Sequence, residues 1–345
     1  MGDGFELRWG VLGAGMISND FVLSVNTTLP PGQHKFVAVA ARSEESAKAF
    51  AQKHNIPVYL QGYDKMYNRD DIDIIYVGTV ISTHLEVVTA ALNAGKHVLC
   101  EKSMGLNARQ VKQMSQLARQ KGLFLMEGFW SRCFPAYERL RQVISDGTIG
   151  DVLLVQANFG IRVQLDDIRL KRLFEREVGG GSLLDLGCYP IQLASLAFGA
   201  QRPQRVVASA VLSDQGTDES ICVTLHYPGG KLAQLFSSMT CETDNHGYVC
   251  GTKGWVKLCQ PFHCSERLEF WDGRVEDFPK PRAPAPGFAY EHCSGLFYEA
   301  QCVRQCIINK HKECPLMPLS ESEVLAEIED EIRRQIGVTF PQDQQ

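Results

Sequence analysis

Between residues 7 and 130 the chain repeats one rhythm: a short, wholly apolar run, then a longer segment with a single apolar face. Leu7 to Leu12 is the first such run, and Gly13-Ala14-Gly15 carries it into a helix-compatible stretch. Phe36 to Ala41 is the second, followed from Ser43 to Asn55 by a segment whose Ala47, Phe50 and Ala51 share a face, which predicts a helix. The same reading predicts a short strand near Val58, a short helix from Tyr63 to Tyr67, and a buried strand from Ile72 to Thr79. A helix from Leu85 to Asn93 follows, closed by Gly95. Then come a strand from His97 to Cys100, a helix from Asn107 to Lys121 and a strand from Leu123 to Glu127. Strands alternating with helices in this way specify a parallel, doubly wound sheet.

The texture changes after Glu127. An aromatic, basic crossing leads into a helix that ends near Asp146-Gly147, and strands then dominate. They are expected at Val152 to Phe159, Arg205 to Leu212, Ile221 to Tyr227, Leu232 to Met239, Tyr248 to Cys250 and Trp255 to Leu258. Turn signals such as Pro228-Gly-Gly230 and Thr252-Lys-Gly254 separate them, as in an antiparallel meander. Residues 279–287 read as a Pro-rich loop. Two helices close the chain, from about Tyr290 to His311 and from Glu321 to Gly337, the second opened by a capping box of Ser320 and Glu323. The predicted class is α/β: an N-terminal Rossmann-type doubly wound parallel sheet over 1–127, then an α+β domain with a largely antiparallel open sheet over 128–345.

Composition adjusts this picture little. A chain of 345 residues exceeds one typical core, so two domains are expected. Hydrophobic content of 44% and charged content of 22% are ordinary for a globular protein. A net charge of −5 argues against nucleic acid or an anionic membrane as partner. No apolar run approaches the roughly 20 residues that a membrane span needs, and the opening MGDGFELRW lacks the charged-then-apolar pattern of a leader, so a cytoplasmic protein is expected. Met1-Gly2 raises myristoylation, but Glu6 stands where that motif needs Ser or Thr. The twelve cysteines are scattered, and Cys100, Cys222 and Cys302 lie in apolar runs, where free Cys acts as a small buried hydrophobe. No Cys-x-x-Cys occurs, and Cys259, His263 and Cys264 lack zinc spacing, so neither a metal nor disulfides are expected.

The candidate chemistry sits at strand ends. Gly13 and Gly15 allow a tight turn and close approach of a pyrophosphate, and the helix opening at Met16 and Ile17 presents N–H groups to it. Ser18 occupies the place of a third glycine. At the end of the second strand stands Arg42, a planar cation suited to a 2′-phosphate, with Ser43 beside it and no acid to hold a ribose, which favours NADP. Thr79, Lys102 and Glu127 also fall at the carboxyl ends of strands, where doubly wound sheets bind ligands.

By Glu101-Lys102 the chain resembles the glucose-fructose oxidoreductase/inositol dehydrogenase family of NAD(P)-dependent oxidoreductases. Its similarity to the dihydrodiol-oxidising branch runs nearly end to end, through LRWGVLGAGMIS, VAVAARS, FAQKHNIP, YVGT, VLCEK, LFLMEGFW, GGGSLLDLGCY, GTKGWVKL, PLSESEVLAEI and IGVTFPQD. The resemblance implies that Lys102 contacts the nicotinamide ribose and the reacting oxygen, and that Asp185 and Tyr189 face it from the second domain. It also implies that Tyr76 and His84, with Glu101, line the coenzyme site, and that Trp130 is an aromatic wall of the substrate pocket. That branch oxidises trans-dihydrodiols of benzene and naphthalene, and D-xylose, with NADP. It forms homodimers in which antiparallel sheets pack face to face. Ser103 departs from the family's Pro after Glu-Lys. The loop from Ile161 to Glu177 departs too: its Arg169, Lys171, Arg172 and Arg176 either admit more polar substrates or form a solvated face.

Hydride transfer from a carbinol needs the two carbons held in contact and the hydroxyl proton removed. A free tyrosine has a pKa near 10 and needs a nearby cation to act as a base. Tyr189 is therefore read as the general base, with Lys102 orienting the hydroxyl and stabilising the phenolate. Lys102 as the base is the other assignment, and the residues do not separate the two. The ketone formed from a dihydrodiol tautomerises to a catechol, which pulls the reaction forward. Trp130 and Phe159 favour a flat apolar ring, whereas polar groups around Arg162 favour a polyol or sugar. A non-enzymatic reading, NADP binding as a sensor, rests on Ser103.

Overall fold

The expected strands of the first 130 residues all form in the computed structural model, which describes residues 4–163, 170–281 and 286–344. β1 (Leu7–Leu12), β2 (His34–Ala41), β3 (Val58–Gln61), β4 (Ile74–Val77), β5 (His97–Glu101) and β6 (Leu125–Gly128) lie in the order β3-β2-β1-β4-β5-β6. Every neighbouring pair is parallel. The intervening helices are α1 (Met16–Thr28), α2 (Glu44–His54), α3 (Asp64–Tyr67), α4 (His84–Asn93) and α5 (Ala108–Lys121). The direction of strand order reverses between β1 and β4, so the ligand crevice of this topology lies over their carboxyl ends.

Local chemistry explains these elements. Ser43 caps α2, accepting from the Ser46 N–H at 3.2 Å, and Asn55 closes it in the left-handed region at φ 55°. The expected apolar face of α2 is the buried one, with His54 added to it. Between the sheet and α1, Trp9, Phe21 and Tyr76 are wholly buried, and Phe21 of α1 stacks on Tyr76 of β4 at 4.0 Å. Each large side chain buried this fully contributes about 1.5–3 kcal/mol.

The second sheet has eight strands: β7 (Val152–Gly160), β8 (Arg205–Leu212), β9 (Asp218–Tyr227), β10 (Lys231–Ser238), β11 (Gly247–Gly251), β12 (Trp255–Leu258), β13 (Arg267–Phe270) and β14 (Val275–Asp277). Helices α6 (Pro135–Ser145) and α7 (Cys188–Ala197) belong with it, and α8 (Phe297–Ile308) and α9 (Leu319–Ile336) close the chain. The sheet order is β14-β13-β12-β11-β7-β10-β9-β8. All pairs are antiparallel except β7 with β10. It is thus not a simple meander: β7, first in sequence, lies between β10 and β11.

Several expectations are corrected here. β13 and β14 are not expected from the sequence, because charges interrupt their apolar positions: Leu268 and Phe270 are buried and alternate with Arg267 and Glu269, and Arg267 pairs with Asp277 at 3.7 Å across the two strands. Cys222 is exposed, since β9 turns Ile221, Val223 and Leu225 inward and the residue between them outward. The helix expected from Tyr290 is regular only from Phe297, after a 3₁₀ turn over Cys293–Leu296. Ser320 is not the cap of α9: that helix begins one residue earlier, and its Leu319 N–H donates to the Glu313 carboxylate at 2.9 Å. Of the Pro-rich stretch 279–287, residues 282–285 lie outside the described residues.

The chain forms two compact units. One takes in the described residues of 1–104, 110–133 and 280–319, the other those of 105–109, 134–279 and 320–345. Residues 280–319 therefore join the parallel sheet's unit although they follow the second sheet in sequence. Hydrogen bonds account for this: Asp20 accepts from the N–H groups of Ala289 and Tyr290 at 2.7 and 2.9 Å, Ser24 donates to the Ser294 carbonyl at 2.7 Å, and Arg304 donates to Phe5 and Gln33 carbonyls. Among the described residues no helix is long and apolar enough to cross a membrane.

Candidate active site

In the first unit, β1 ends on Gly13, whose φ of +95° an L side chain rarely adopts. A Cβ there would also stand 2.7 Å from the Gly78 carbonyl oxygen. Gly15 caps α1 without a side chain, and the first bond of the helix runs from the Asn19 N–H to the Gly15 carbonyl at 3.0 Å. The N–H groups of the first turn, Met16 and Ile17 among them, thus lie outside the helix ladder. No acid stands in that turn. A backbone cradle open at a helix N-terminus fits a pyrophosphate. Ser18, in the third glycine's place, is fully buried, and a Cβ on Gly78 would collide with its hydroxyl. The lost glycine is thus compensated at the end of β4, a pairing that the sequence reading missed.

Arg42 is exposed at the end of β2, beside the N-terminus of α2. The Ser43 hydroxyl is engaged in capping that helix. Tyr63 lies close enough for the Arg42 charge to act on its phenol, although burial, the larger effect, raises that pKa. An exposed cation beside a helix N-terminus fits a 2′-phosphate.

At the end of β5, Glu101 is buried and accepts a hydrogen bond from the Tyr76 hydroxyl at 2.6 Å. Tyr76, expected to line the coenzyme site, is wholly enclosed in the sheet and bears on the site through Glu101. Half-buried Lys102 comes next, and its peptide bond to Ser103 is cis. Two bonds flank it: His84 Nδ1 lies 3.2 Å from the Ser103 carbonyl, and the Met104 N–H donates to Glu127 at 2.8 Å. His84 Nε2 meanwhile lies 3.1 Å from the Thr79 carbonyl. Thr79 also accepts from the Thr83 hydroxyl at 2.8 Å. Burial pushes the His84 pKa down to about 4, so its ring is neutral near pH 7 and donates to one of the two carbonyls at a time. His84 therefore pins the ends of β4 and β5 together beneath Lys102. Trp130 is buried in the 3₁₀ turn Trp130–Cys133 after β6.

The second unit positions Asp185 and Tyr189. Gly179 and Gly181 adopt φ of +83° and +134°, and a Cβ on Gly180 would meet the Leu173 carbonyl at 2.7 Å. The buried Asp218 carboxylate abuts Gly181 and accepts from the Leu183 N–H at 2.6 Å. A single π-turn, Leu183–Gly187, carries Asp185, and α7 starts immediately after it with Tyr189 in its first turn. Asp185 pairs with Arg172 at 3.5 Å, which draws one member of the basic loop inward. Tyr189 is 7% exposed, its ring centre 5.6 Å from that of Phe159 and 5.1 Å from that of His263. Phe159 and His263 stack at 4.3 Å. Arg162 is exposed beyond the end of β7, and Arg169 lies outside the described residues.

Asp218 and His263 flank the candidate site residues of the second unit, and sequence reasoning does not place them there. His263 was weighed only as a metal ligand; the 3₁₀ turn Phe262–Cys264 brings it to Tyr189, and no local spacing signals this. Asp218 reads in sequence as one more acid on a strand.

Comparison with known proteins follows the same lines. Residues 7–129 match the model of the oxidoreductase family with an NAD-binding Rossmann fold, and residues 137–257 match the GFO/IDH/MocA C-terminal domain. The chain is 43% identical to trans-1,2-dihydrobenzene-1,2-diol dehydrogenase of Sus scrofa, covering 98% of this chain and 99% of that one. It is 42% identical to the Homo sapiens enzyme of the same name over the same shares. Among solved structures, a 3-ketoreductase from Actinomadura kijaniata in complex with NADP and TDP-benzene is 26% identical, with a TM-score of 0.80 over 96% of this chain and 98% of that one. Levoglucosan dehydrogenase, solved with NADH and levoglucosan, shares the fold at a TM-score of 0.83 and 19% identity, over 96% of this chain and 98% of that one. In sequence and in fold, the chain belongs to the GFO/IDH/MocA family of oxidoreductases.

Proposed function

We propose that the chain is an NADP-dependent dehydrogenase that oxidises trans-1,2-dihydrodiols of aromatic hydrocarbons to catechols and also takes D-xylose to its lactone. The observation that carries this reading is Tyr189, held at the head of α7 beside two flat rings, Phe159 and His263. The chain's 41–43% identity to enzymes named for a dihydrodiol supports the substrate class.

NADP, when bound, supplies the nicotinamide carbon that accepts the hydride. Gly13, Gly15 and the N–H groups of Met16 and Ile17 bind the pyrophosphate, and Arg42 with Ser43 binds the 2′-phosphate. Thr79 lines the coenzyme site, and Glu101, set by Tyr76, orients Lys102. Lys102 presents its ammonium to the substrate hydroxyl and favours the phenolate of Tyr189. Tyr189 takes the hydroxyl proton as the carbinol hydrogen leaves as hydride. Asp185 orients this pair, Trp130 and Phe159 exclude water from the ring, and Arg162 reaches the polar edge of the substrate. The Actinomadura 3-ketoreductase has been solved with a lysine replaced by alanine and with a tyrosine replaced by phenylalanine, each in complex with TDP-benzene and NADP.

We also infer a cytoplasmic homodimer formed through the outward face of the second sheet. Val207, Cys222 and Leu232 are exposed there, and Gln156, Gln234, Phe236 and Tyr248 line the same shallow surface. Light scattering after size exclusion should give twice the chain mass, and Phe236→Glu should halve it.

The function is tested by NADPH formation from trans-1,2-dihydrobenzene-1,2-diol and from D-xylose, with wild type and Arg42→Ala. Turnover with NADP whose KM rises about ten- to a hundredfold in the variant, the loss of one charge-assisted bond, supports the reading. Tight NADP binding without turnover of either substrate overturns it in favour of a sensor.

A further inference from the structure

Four cysteines converge inside the first unit. Cys302 and Cys306 stand four apart on α8, so one face of the helix carries both. Cys314 is brought back to them by the turn that its backbone bridge to Met317 closes. Cys133 ends the 3₁₀ turn after β6, and its thiol is hydrogen-bonded to Cys302. The sulfurs of Cys302, Cys306 and Cys314 all lie within 4.8 Å of one another, with Cys302 and Cys314 at 3.4 Å. Cys306 and Cys314 are buried, and Cys302 and Cys133 half-buried.

We propose that Cys133, Cys302, Cys306 and Cys314 bind one structural zinc ion, in departure from the expectation that the chain holds no metal. Zn–S bonds of about 2.3 Å in a tetrahedron set sulfurs about 3.8 Å apart, the spacing that this cluster approaches before any ion pulls it in. A disulfide is the weaker reading: a bridge needs sulfurs about 2.05 Å apart and uses two thiols, whereas three sulfurs meet here and the Cys133 thiol is hydrogen-bonded to one of them. Four thiolates suit zinc in a closed structural site, and the buried Glu299 carboxyl lies close enough to act on Cys133 and Cys302. On binding, four thiols lose their protons and one Zn²⁺ gains four Zn–S bonds, with no change of oxidation state. The site then carries two negative charges. Arg132, buried next to Cys133, donates to the Leu316 carbonyl at 3.4 Å and so sets a cation in the same segments.

The sequence hides this site because it joins a Cys-x₃-Cys-x₇-Cys run to a residue far upstream, with no Cys-x-x-Cys pair. In the fold it ties α8 and the strand-like turn after it to the turn that starts at Trp130. Zinc would therefore hold that turn, and with it the Trp130 ring, against the end of β6.

The test is the metal content of untagged protein purified without chelator, with zinc released by a mercurial as thiols are titrated. About one zinc per chain, freed as four thiols react, is the expected result. Cobalt(II) exchanged into the site should give intense thiolate-to-metal absorption with tetrahedral d–d bands. Cys306→Ser and Cys314→Ser should lose the zinc, while Cys222→Ser, on the exposed face of β9, should keep it. Because the first two variants also remove a buried thiol from the core, the wild-type measurement decides. All twelve thiols reactive with zinc below a tenth of an equivalent, or a mass two hydrogens low for a bridge among these four, overturns the proposal.

Discussion

Tyr76, on β4, donates a 2.6 Å hydrogen bond to Glu101 at the end of the adjacent strand β5, and the pair is buried. The bond fixes the carboxylate one residue before Lys102. A second acid, Glu299 of α8, lies wholly buried nearby, and burial first, then the Glu101 charge, raises its pKa well above the usual carboxyl range. Tyr76→Phe should destabilise the protein by about 1–3 kcal/mol, the cost of removing one donor from a buried carboxylate. Urea unfolding measures this; a change under 0.5 kcal/mol would show that the bond bears no weight.

His84 gives a pH signature. Its folded pKa of about 4 lies below the ordinary 6.5, so between these values the unfolded chain binds the extra proton. Its contribution is fully present above pH 6.5 and falls as the pH drops towards 4. The size is at most about 3 kcal/mol, at about 1.4 kcal/mol per pH unit. His84→Gln should flatten this acid limb in unfolding experiments at pH 7, 6 and 5. The same variant should lower kcat/KM, because the Ser103 carbonyl beside Lys102 loses its tether. An unchanged pH slope would refute the neutral, buried imidazole.

Asp218 acts with the opposite sign. Burial lifts its carboxyl from 3.8 to about 6, against the bonds from the Leu183 N–H and the Ser182 hydroxyl. The folded state then holds the proton more tightly, so this contribution is full below pH 3.8 and is lost as the pH rises through 6. Asp218→Asn removes that loss. It should therefore gain stability relative to wild type on going from pH 4 to pH 7, while kcat falls if the Asp185 turn shifts. Parallel stability curves for the two proteins would exclude the raised pKa.

Gly78 and Ser18 form a compensating pair. Gly78→Ala should drive a methyl into the Ser18 hydroxyl and the Tyr76 ring and weaken NADP binding at least tenfold, measured by fluorescence titration. Adding Ser18→Gly should recover part of that loss, whereas Ser18→Gly alone should change little. Equal affinity in the double and single Gly78 variants would deny the coupling.

Much of the fold was legible because its signals are local. Short apolar strands ending in glycine, and helices with one apolar face such as Ala47, Phe50 and Ala51, specify the parallel sheet without tertiary information. β13 and β14 were not legible, since Arg267, Glu269 and Asp277 read as loop until their partners stand opposite. Lys102 is marked by its place at a strand end, whereas Asp185 and Tyr189 enter only through family resemblance. His263, Asp218 and the four cysteines were not legible, because each depends on residues that only the folded chain brings together. Tyr76 enters through family resemblance alone, and its ring lies in the core beside Phe21, where it reaches Glu101.

The proton-transfer role of Tyr189 is the central claim, and Tyr189→Phe tests it most directly. NADP affinity and the initial rate of dihydrodiol oxidation would be measured for both proteins from pH 6 to pH 10. Unchanged NADP affinity with a rate at least a hundredfold lower, and loss of the wild-type rise in rate with pH, is the predicted result. A variant that retains wild-type turnover and the same pH profile would contradict it and move the proton to Lys102.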